Sequence, residues 1–216
     1  MSQKIFDIKE FPTLKKIDED LNINLIQIQI ECNKLISNIK DISIKRKAGE
    51  WSNDTAIQLV DNLNKENKWM FGWTQKENWK NYLLIYNGNM MQDIEDKLPS
   101  LYKILNKHKH RFNVVGLSLL EPNSKIPYHY DVDTNYENNR LVYHFNIYVP
   151  NDYNNMGTSI LKIFERDIYQ YHNPTIIEQK TGNNIIFDSS YYHSVDHNNP
   201  KYRLILYTDI KVSEMR

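Results

Sequence analysis

The closing stretch GNNIIFDSSYYHSVDHNNPKYRLILYTDI, residues 182–210, decides the fold class. It contains two short runs rich in β-branched, aromatic and leucine side chains, NNIIFDSS (183–190) and YRLILYTDI (202–210), separated by polar, turn-forming residues. Runs this short, bounded by Asn, Pro, Ser and Asp, read as strands and not as helices. The same grammar extends upstream through FNVVGLSLLEP (112–122), RLVYHFNIYVP (140–150) and TSILKIF (158–164). Spaced strands with polar turns predict an all-β barrel or sandwich. No GxGxxG and no Walker loop occurs, so nucleotide-binding α/β folds find no support.

Before residue 110 the periodicity changes. Leu14, Ile17, Leu21, Leu25, Ile28, Leu35 and Ile39 recur at three- and four-residue spacing, which predicts a long amphipathic helix broken near Asn22–Asn24. Residues 91–107 also read as helical, with Pro99 near the start of the second half. Between them NYLLIYNG (81–88) reads as a strand ending in a turn. The expected class is mainly β with N-terminal helices.

Composition narrows the function. The 216 residues carry 27 basic and 27 acidic side chains, so the basic surplus usual in nucleic-acid binders is missing. The single cysteine, Cys32, excludes an intrachain disulfide framework and a multi-cysteine zinc site. No signal-peptide core and no membrane-length apolar run is visible, so a soluble, cytoplasmic protein without a membrane partner is expected. Of seven histidines, five fall between His129 and His197.

Those histidines converge on a ligand pattern. His129 and Asp131 form an H-x-D pair, and residues i and i+2 of a strand share a face with Cα atoms about 6.5–7 Å apart. His193, from a distant strand, offers a second imidazole. Two histidines and one carboxylate on one side of an octahedral ion leave three positions open, as in non-haem Fe(II) oxygenases; zinc hydrolases use similar donors. Arg203 shares a strand face with Ile205, Tyr207 and Asp209. A guanidinium in such an apolar strand needs a partner, either a ligand carboxylate or an internal acid such as Asp188 or Glu165. On the preceding strand Arg140, Val142, His144 and Asn146 share the more polar face, while Leu141, Tyr143, Phe145 and Ile147 pack inward. Ser118 lies on the strand before the H-x-D pair. Trp79 and Tyr128 are candidate pocket residues, and the Asn-rich stretch 133–139 is a candidate lid.

Taken in order, FPTLKKI (11–17), NWKNYLLIYNG (78–88), GLSLLEPNSKIPYHYD (116–131), RLVYHFNIYVP and the closing block resemble the aspartyl/asparaginyl β-hydroxylase family of Fe(II)- and 2-oxoglutarate-dependent dioxygenases. The resemblance implies a double-stranded β-helix, a cupin-like jelly-roll barrel. It implies one dioxygenase domain over 1–216, with a helical N-terminal region (1–110) holding one strand and a barrel core over 111–211. It implies Fe(II), 2-oxoglutarate and O2 as cofactor and cosubstrates, with release of succinate and CO2. His129 and His193 match the iron ligands. Arg203 and Ser118 match the clasp on the distal carboxylate of 2-oxoglutarate, and His144 a histidine near its metal-side carboxylate. Arg140 matches a family arginine on the cosubstrate side. Asp131 stands where the animal enzymes have glycine, completing a His-Asp-His set similar to that of free-proline hydroxylases. Val142 replaces a strand arginine. The implied substrate is an aspartyl or asparaginyl side chain in a protein, or a free amino acid such as proline. A non-catalytic binding barrel and a zinc hydrolase are the alternatives, and oligomeric state is not readable.

Overall fold

The computed structural model describes residues 3–39, 61–71, 78–150, 157–165 and 174–216. His172 and the Asn-rich residues 151–156 lie outside them.

Two antiparallel sheets form the body. The larger contains β1 (Ile5–Phe6), β2 (Met70–Phe71), β3 (Trp79–Tyr86), β4 (Asn89–Met90), β5 (Phe112–Leu120), β7 (Arg140–Tyr148), β10 (Asn184–Phe187) and β12 (Arg203–Lys211). Its order is β1-β10-β7-β12-β5-β3-β2, with β4 on β3. The smaller contains β6 (Ser124–His129), β8 (Ser159–Ile163), β9 (Thr175–Glu178) and β11 (His193–His197), in the order β6-β11-β8-β9. The chain changes sheet repeatedly, and each sheet is built from strands distant in sequence. This is the double-stranded β-helix expected from the sequence.

Each strand expected after residue 110 forms. The sequence reading missed β1, β2, β4 and β9, because isolated runs of two to four residues carry too little alternation to stand out. Three of them, β1, β2 and β4, lie in the region expected to hold one strand, and all three join the larger sheet.

Helices α1 (Pro12–Ile23) and α2 (Leu25–Ser37) cover the outer face of that sheet. Pro12 occupies the first turn of α1, where a missing N–H costs nothing. Asn24 breaks the helix at the expected place, with φ −98° and ψ 8°. The apolar stripe runs across the break: Leu14, Ile17, Leu21, Ile28, Cys32 and Leu35 are all buried. They meet Tyr143, Phe145, Leu204 and Leu206 from β7 and β12 in one core cluster. Polar pins fix the docking. Tyr143 Oη and Asn184 Nδ2 donate to Asp18 Oδ1 at 2.7 and 2.8 Å, and Gln29 Nε2 donates to the Ile147 carbonyl at 2.7 Å. The predicted 91–107 helix is instead two pieces, α3 (Ile94–Lys97) and α4 (Pro99–Leu105). Leu98, before the proline, leaves helical space at φ −136°, because the pyrrolidine ring disfavours helix in the preceding residue. No helix among the described residues is long and apolar enough to cross a membrane.

A second, smaller cluster fills the space between the sheets: Leu120, Ile126, Val142, Leu161, Phe187 and Val195 are among its members. Several of the sequence-predicted site residues border this cluster, His193 packing against Phe187.

Leu206 is wholly buried in the main cluster at the centre of β12. Leu206→Ala should cost about 2–5 kcal/mol through lost burial plus a cavity, measured as a lower urea midpoint at unchanged slope.

Candidate functional site

The site is assembled by one strand pairing. β6 and β11 run antiparallel with His129 opposite His193, and the register shifts before Val195 pairs with Ile126. Three residues of β6 thus span two of β11, a bulge beside the site. Pro127 lies in the bulged stretch. It has no N–H to give to a ladder, and β6 is an edge strand, where proline is tolerated.

The two imidazoles sit with ring centroids 4.1 Å apart. Each is oriented in the same way. His129 Nδ1 lies 2.8 Å from the Pro127 carbonyl and His193 Nδ1 lies 2.9 Å from the Tyr191 carbonyl. A carbonyl only accepts, so each Nδ1 carries the proton and Nε2 holds the ring's remaining lone pair when the ring is neutral. His193 is neutral at pH 7, because burial, and secondarily the His129 charge, pulls its pKa down to about 3. Asp131 stands beyond the end of β6, not on the strand as the H-x-D reading had it. Its N–H donates to the Ser189 carbonyl at 2.9 Å. Ligating atoms of His129, Asp131 and His193 all lie within 4.8 Å of one another. Oriented histidine ring nitrogens and a carboxylate at that spacing suit a divalent transition metal with open positions.

These three residues border a cavity of about 550 Å³ between the sheets, and Ser118, Arg140, His144 and Arg203 border it as well. All seven sequence-predicted residues therefore share one cavity. Their circumstances differ.

Arg203 is completely buried. Its Nε donates to Gln179 Oε1 at 2.7 Å, while Nη1 and Nη2 have no partner among the described residues. The internal acids considered as partners are engaged elsewhere: Glu165 pairs with Lys4, and Asp188 accepts from Ser190 and Tyr136. Burial lowers the Arg203 pKa to about 9, which leaves it charged at neutral pH. A buried cation with an orphaned pair of N–H donors is costly unless an anion meets it. The donor set therefore fits the distal carboxylate of a diacid. Gln179, which sequence reasoning missed, is itself held by Ser159 Oγ at 3.1 Å. It lies just past the end of a four-residue edge strand that gave no pattern to read.

Ser118 accepts from Trp79 Nε1 at 2.9 Å, which keeps its own hydroxyl proton available to donate. His144 packs edge-on to Phe187 and near Tyr207, and its Nδ1 has no partner among the described residues. Burial first, then the charges of Arg203, His193 and His129, holds it well below the usual histidine range, so it is neutral. Arg140 is not free for the cosubstrate in the way Arg203 is. Its Nε donates to both oxygens of Asp209 at 3.1 Å, and Nη2 donates to Oδ2. Trp79 borders the cavity, whereas Tyr128 stacks on Tyr192 at 4.6 Å outside it. The Asn-rich stretch is laced down: Tyr136 N–H bonds Asp188, Ser189 Oγ bonds the Thr134 carbonyl, and Asn139 bonds Ser213.

Two imidazoles and a carboxylate converge inside a two-sheet β-helix, a group that could hold a metal ion. The aspartyl/asparaginyl beta-hydroxylase family matches residues 24–212. The chain belongs to that family. It is also 34% identical over 209 residues to an uncharacterised protein of Acanthamoeba polyphaga mimivirus, covering 96% of this chain and 70% of the viral protein. Two solved structures are more distantly similar. A 2OG-Fe(II) oxygenase family oxidoreductase from Burkholderia pseudomallei has 13% identity, covers 62% of this chain and 68% of its own, and gives a TM-score of 0.44. The cupin domain of Schizosaccharomyces pombe Cnp3 has 10% identity, coverages of 63% and 66%, and a TM-score of 0.35.

The two buried imidazoles set a pH dependence. In the folded chain both resist protonation, while in the unfolded chain each titrates near 6.5. As pH falls below 6.5 the unfolded state takes up the protons first, so stability of the metal-free protein drops. For His193 the loss runs down to about pH 3 and amounts to about 1.4 kcal/mol per pH unit at most. Urea melts between pH 7 and 4 should show this fall, and His193→Gln should make it shallower; an unchanged slope in the variant would contradict the assignment.

Proposed function

We propose that the protein is a 2-oxoglutarate-dependent non-haem iron dioxygenase that hydroxylates an unactivated C–H bond. The single observation carrying this reading is the pairing, in one cavity, of the His129–Asp131–His193 cluster with a guanidinium edge of Arg203 that has no partner among the described residues. A metal cluster alone would serve a hydrolase equally well. A buried cation waiting for a carboxylate beside it matches a diacid cosubstrate.

In this reading His129, Asp131 and His193 hold Fe(II). Iron there, supplied with 2-oxoglutarate and O2, would provide the oxidising chemistry and release succinate and CO2. The chain's own work is positioning. The Pro127 and Tyr191 carbonyls fix both imidazoles with Nε2 available to the metal, which also raises their basicity. Arg203 receives the distal carboxylate, with the Ser118 hydroxyl as second donor. Gln179 orients Arg203 through Nε without neutralising it. A carboxylate at position 179 would quench the charge that the cosubstrate needs. Neutral His144 offers a polar edge near the metal-side carboxylate without adding a competing charge. Leu161, Val195 and Ile126 keep water from this end of the cavity. The substrate class carried over from the family is a protein aspartyl or asparaginyl side chain or a free amino acid, met in the cytoplasm.

Anaerobic addition of Fe(II) and 2-oxoglutarate should produce the weak visible charge-transfer band of the ternary complex; a zinc hydrolase or an inert barrel would give none. His129→Ala and His193→Ala should each abolish the band and succinate release, and undiminished succinate from either variant would refute the ligand assignment. Arg203→Ala should chiefly raise the 2-oxoglutarate requirement. Gln179→Glu should weaken 2-oxoglutarate binding in calorimetry, whereas Gln179→Asn should weaken it less.

A further inference from the structure

The chain crosses from the larger sheet to the smaller one over residues 188–192, between the end of β10 at Phe187 and the start of β11 at His193. Two backbone carbonyls of this crossing hold the candidate cluster. Ser189 accepts from the Asp131 N–H at 2.9 Å, and Tyr191 accepts from His193 Nδ1 at 2.9 Å. The shape of the crossing therefore decides where two of the three cluster residues stand. The crossing belongs to neither sheet, so no strand ladder fixes that shape.

Asp188 supplies what the ladders do not. It is buried at the first position of the crossing. Its N–H donates to the Lys4 carbonyl at 3.0 Å, which prolongs the β1–β10 pairing by one step and ties its backbone to the larger sheet. Its Oδ1 accepts from the Ser190 N–H at 3.0 Å and from the Ser190 hydroxyl, closing the turn around Ser189. Its Oδ2 accepts from the Tyr136 N–H at 3.3 Å. The Asp188 carbonyl accepts from the Tyr191 N–H at 3.2 Å. One residue thus joins three pieces of backbone: the larger sheet, the turn that carries the Ser189 and Tyr191 carbonyls, and the segment 131–136 that begins at Asp131. The same segment is held again by Ser189 Oγ, which donates to the Thr134 carbonyl at 3.0 Å, and by Tyr136, which stacks on Phe6 of β1 at 5.2 Å.

We infer that Asp188 is a positioning residue for the metal cluster: by closing the turn 188–191 and tying it to Tyr136, its carboxylate sets how Asp131 stands relative to His193. The inference rests on the reading of His129, Asp131 and His193 as metal ligands and deepens it. An ionised carboxylate only accepts, so it serves the Ser190 and Tyr136 donors together, and such bonds are stronger than those to a neutral oxygen. An asparagine there keeps an acceptor for Ser190 but turns an NH2 group on the Tyr136 N–H, donor against donor. An alanine removes the acceptor from all three donors in a buried place. Groups that orient the ligands govern metal affinity nearly as strongly as the ligands themselves.

The test adds Co(II) alone to the full, metal-free chain. Calorimetry gives its Kd, and the visible d–d band of the bound cobalt reports ligand geometry. Asp188→Ala should raise the Co(II) Kd about tenfold or more and alter the band. Asp188→Asn should raise it less, by about threefold, the worth of one lost hydrogen bond. Leu206→Ala, in the core on the opposite face of the larger sheet, should lower the urea midpoint yet leave Kd and band as in the wild type. A wild-type Kd and band in folded Asp188→Ala overturns the inference. An equal loss of Co(II) binding in Leu206→Ala also overturns it, since the effect would then be one of general stability. Where Asp188→Ala does not fold, Asp188→Asn decides, and a wild-type Kd in that variant overturns the inference. Absence of Co(II) binding by the wild-type chain removes the metal reading and this inference with it. Weakened Co(II) binding in the Asp188 variants of a chain that gives no charge-transfer band with Fe(II) and 2-oxoglutarate supports the inference and refutes the oxygenase reading alone.

Discussion

The pairing of β6 with β11, in the register that sets His129 opposite His193, is the constraint on which the rest of the site depends. It brings together two residues 64 positions apart in the chain, each at the end of its strand where the backbone turns toward the cavity. The bulge around Pro127 bends the edge strand there, and the two i−2 carbonyls then settle which ring nitrogen faces inward. Asp131 follows because its own N–H is caught by the Ser189 carbonyl, four residues before His193. The His129–Asp131–His193 cluster is thus held by backbone groups.

Two arginines border the same cavity and are treated in opposite ways. Arg140 meets a carboxylate and is electrostatically complete, its charge held more firmly by the Asp209 hydrogen bonds. Among the described residues Arg203 meets only an amide. The fold therefore keeps one buried cation oriented but uncompensated, a state that costs stability in the empty protein and is relieved by an anionic ligand. The imidazoles follow the same logic: His144 and His193 are kept neutral by burial, one at the edge of the cavity and the other within the His-Asp-His cluster. The large sheet presents these two arginines at opposite ends, Arg203 at the start of β12 and Arg140 opposite Lys211 at its end.

Much of this was legible beforehand, and for identifiable reasons. The alternation in RLVYHFNIYV and YRLILYTDI placed His144, Arg140, Arg203 and Tyr207 on cavity-facing rows because a strand's side chains have a period of two whatever they pack against. The helix break at Asn24 was visible because the apolar stripe continues on both sides of a polar run. The split at Pro99 went further than the sequence reading had it: the proline separates two helices by forcing Leu98 out of helical geometry. The strands β1, β2, β4 and β9 were invisible, since each exists only because a longer neighbour offers it hydrogen bonds.

By itself the sequence determined the mainly β class, the two-faced character of the central strands, the identity of the convergent histidines and aspartate, and the need of Arg203 for a partner. These are properties of spacing and of the cost of burying charge, which any fold must respect. Only the tertiary structure decided that Arg203's partner is Gln179 and not an acid, that Asp209 closes on Arg140, and that Asp131 sits off the strand. Those facts depend on register between strands far apart in the chain. Register is set by the closing of two sheets on one another, which no local pattern encodes.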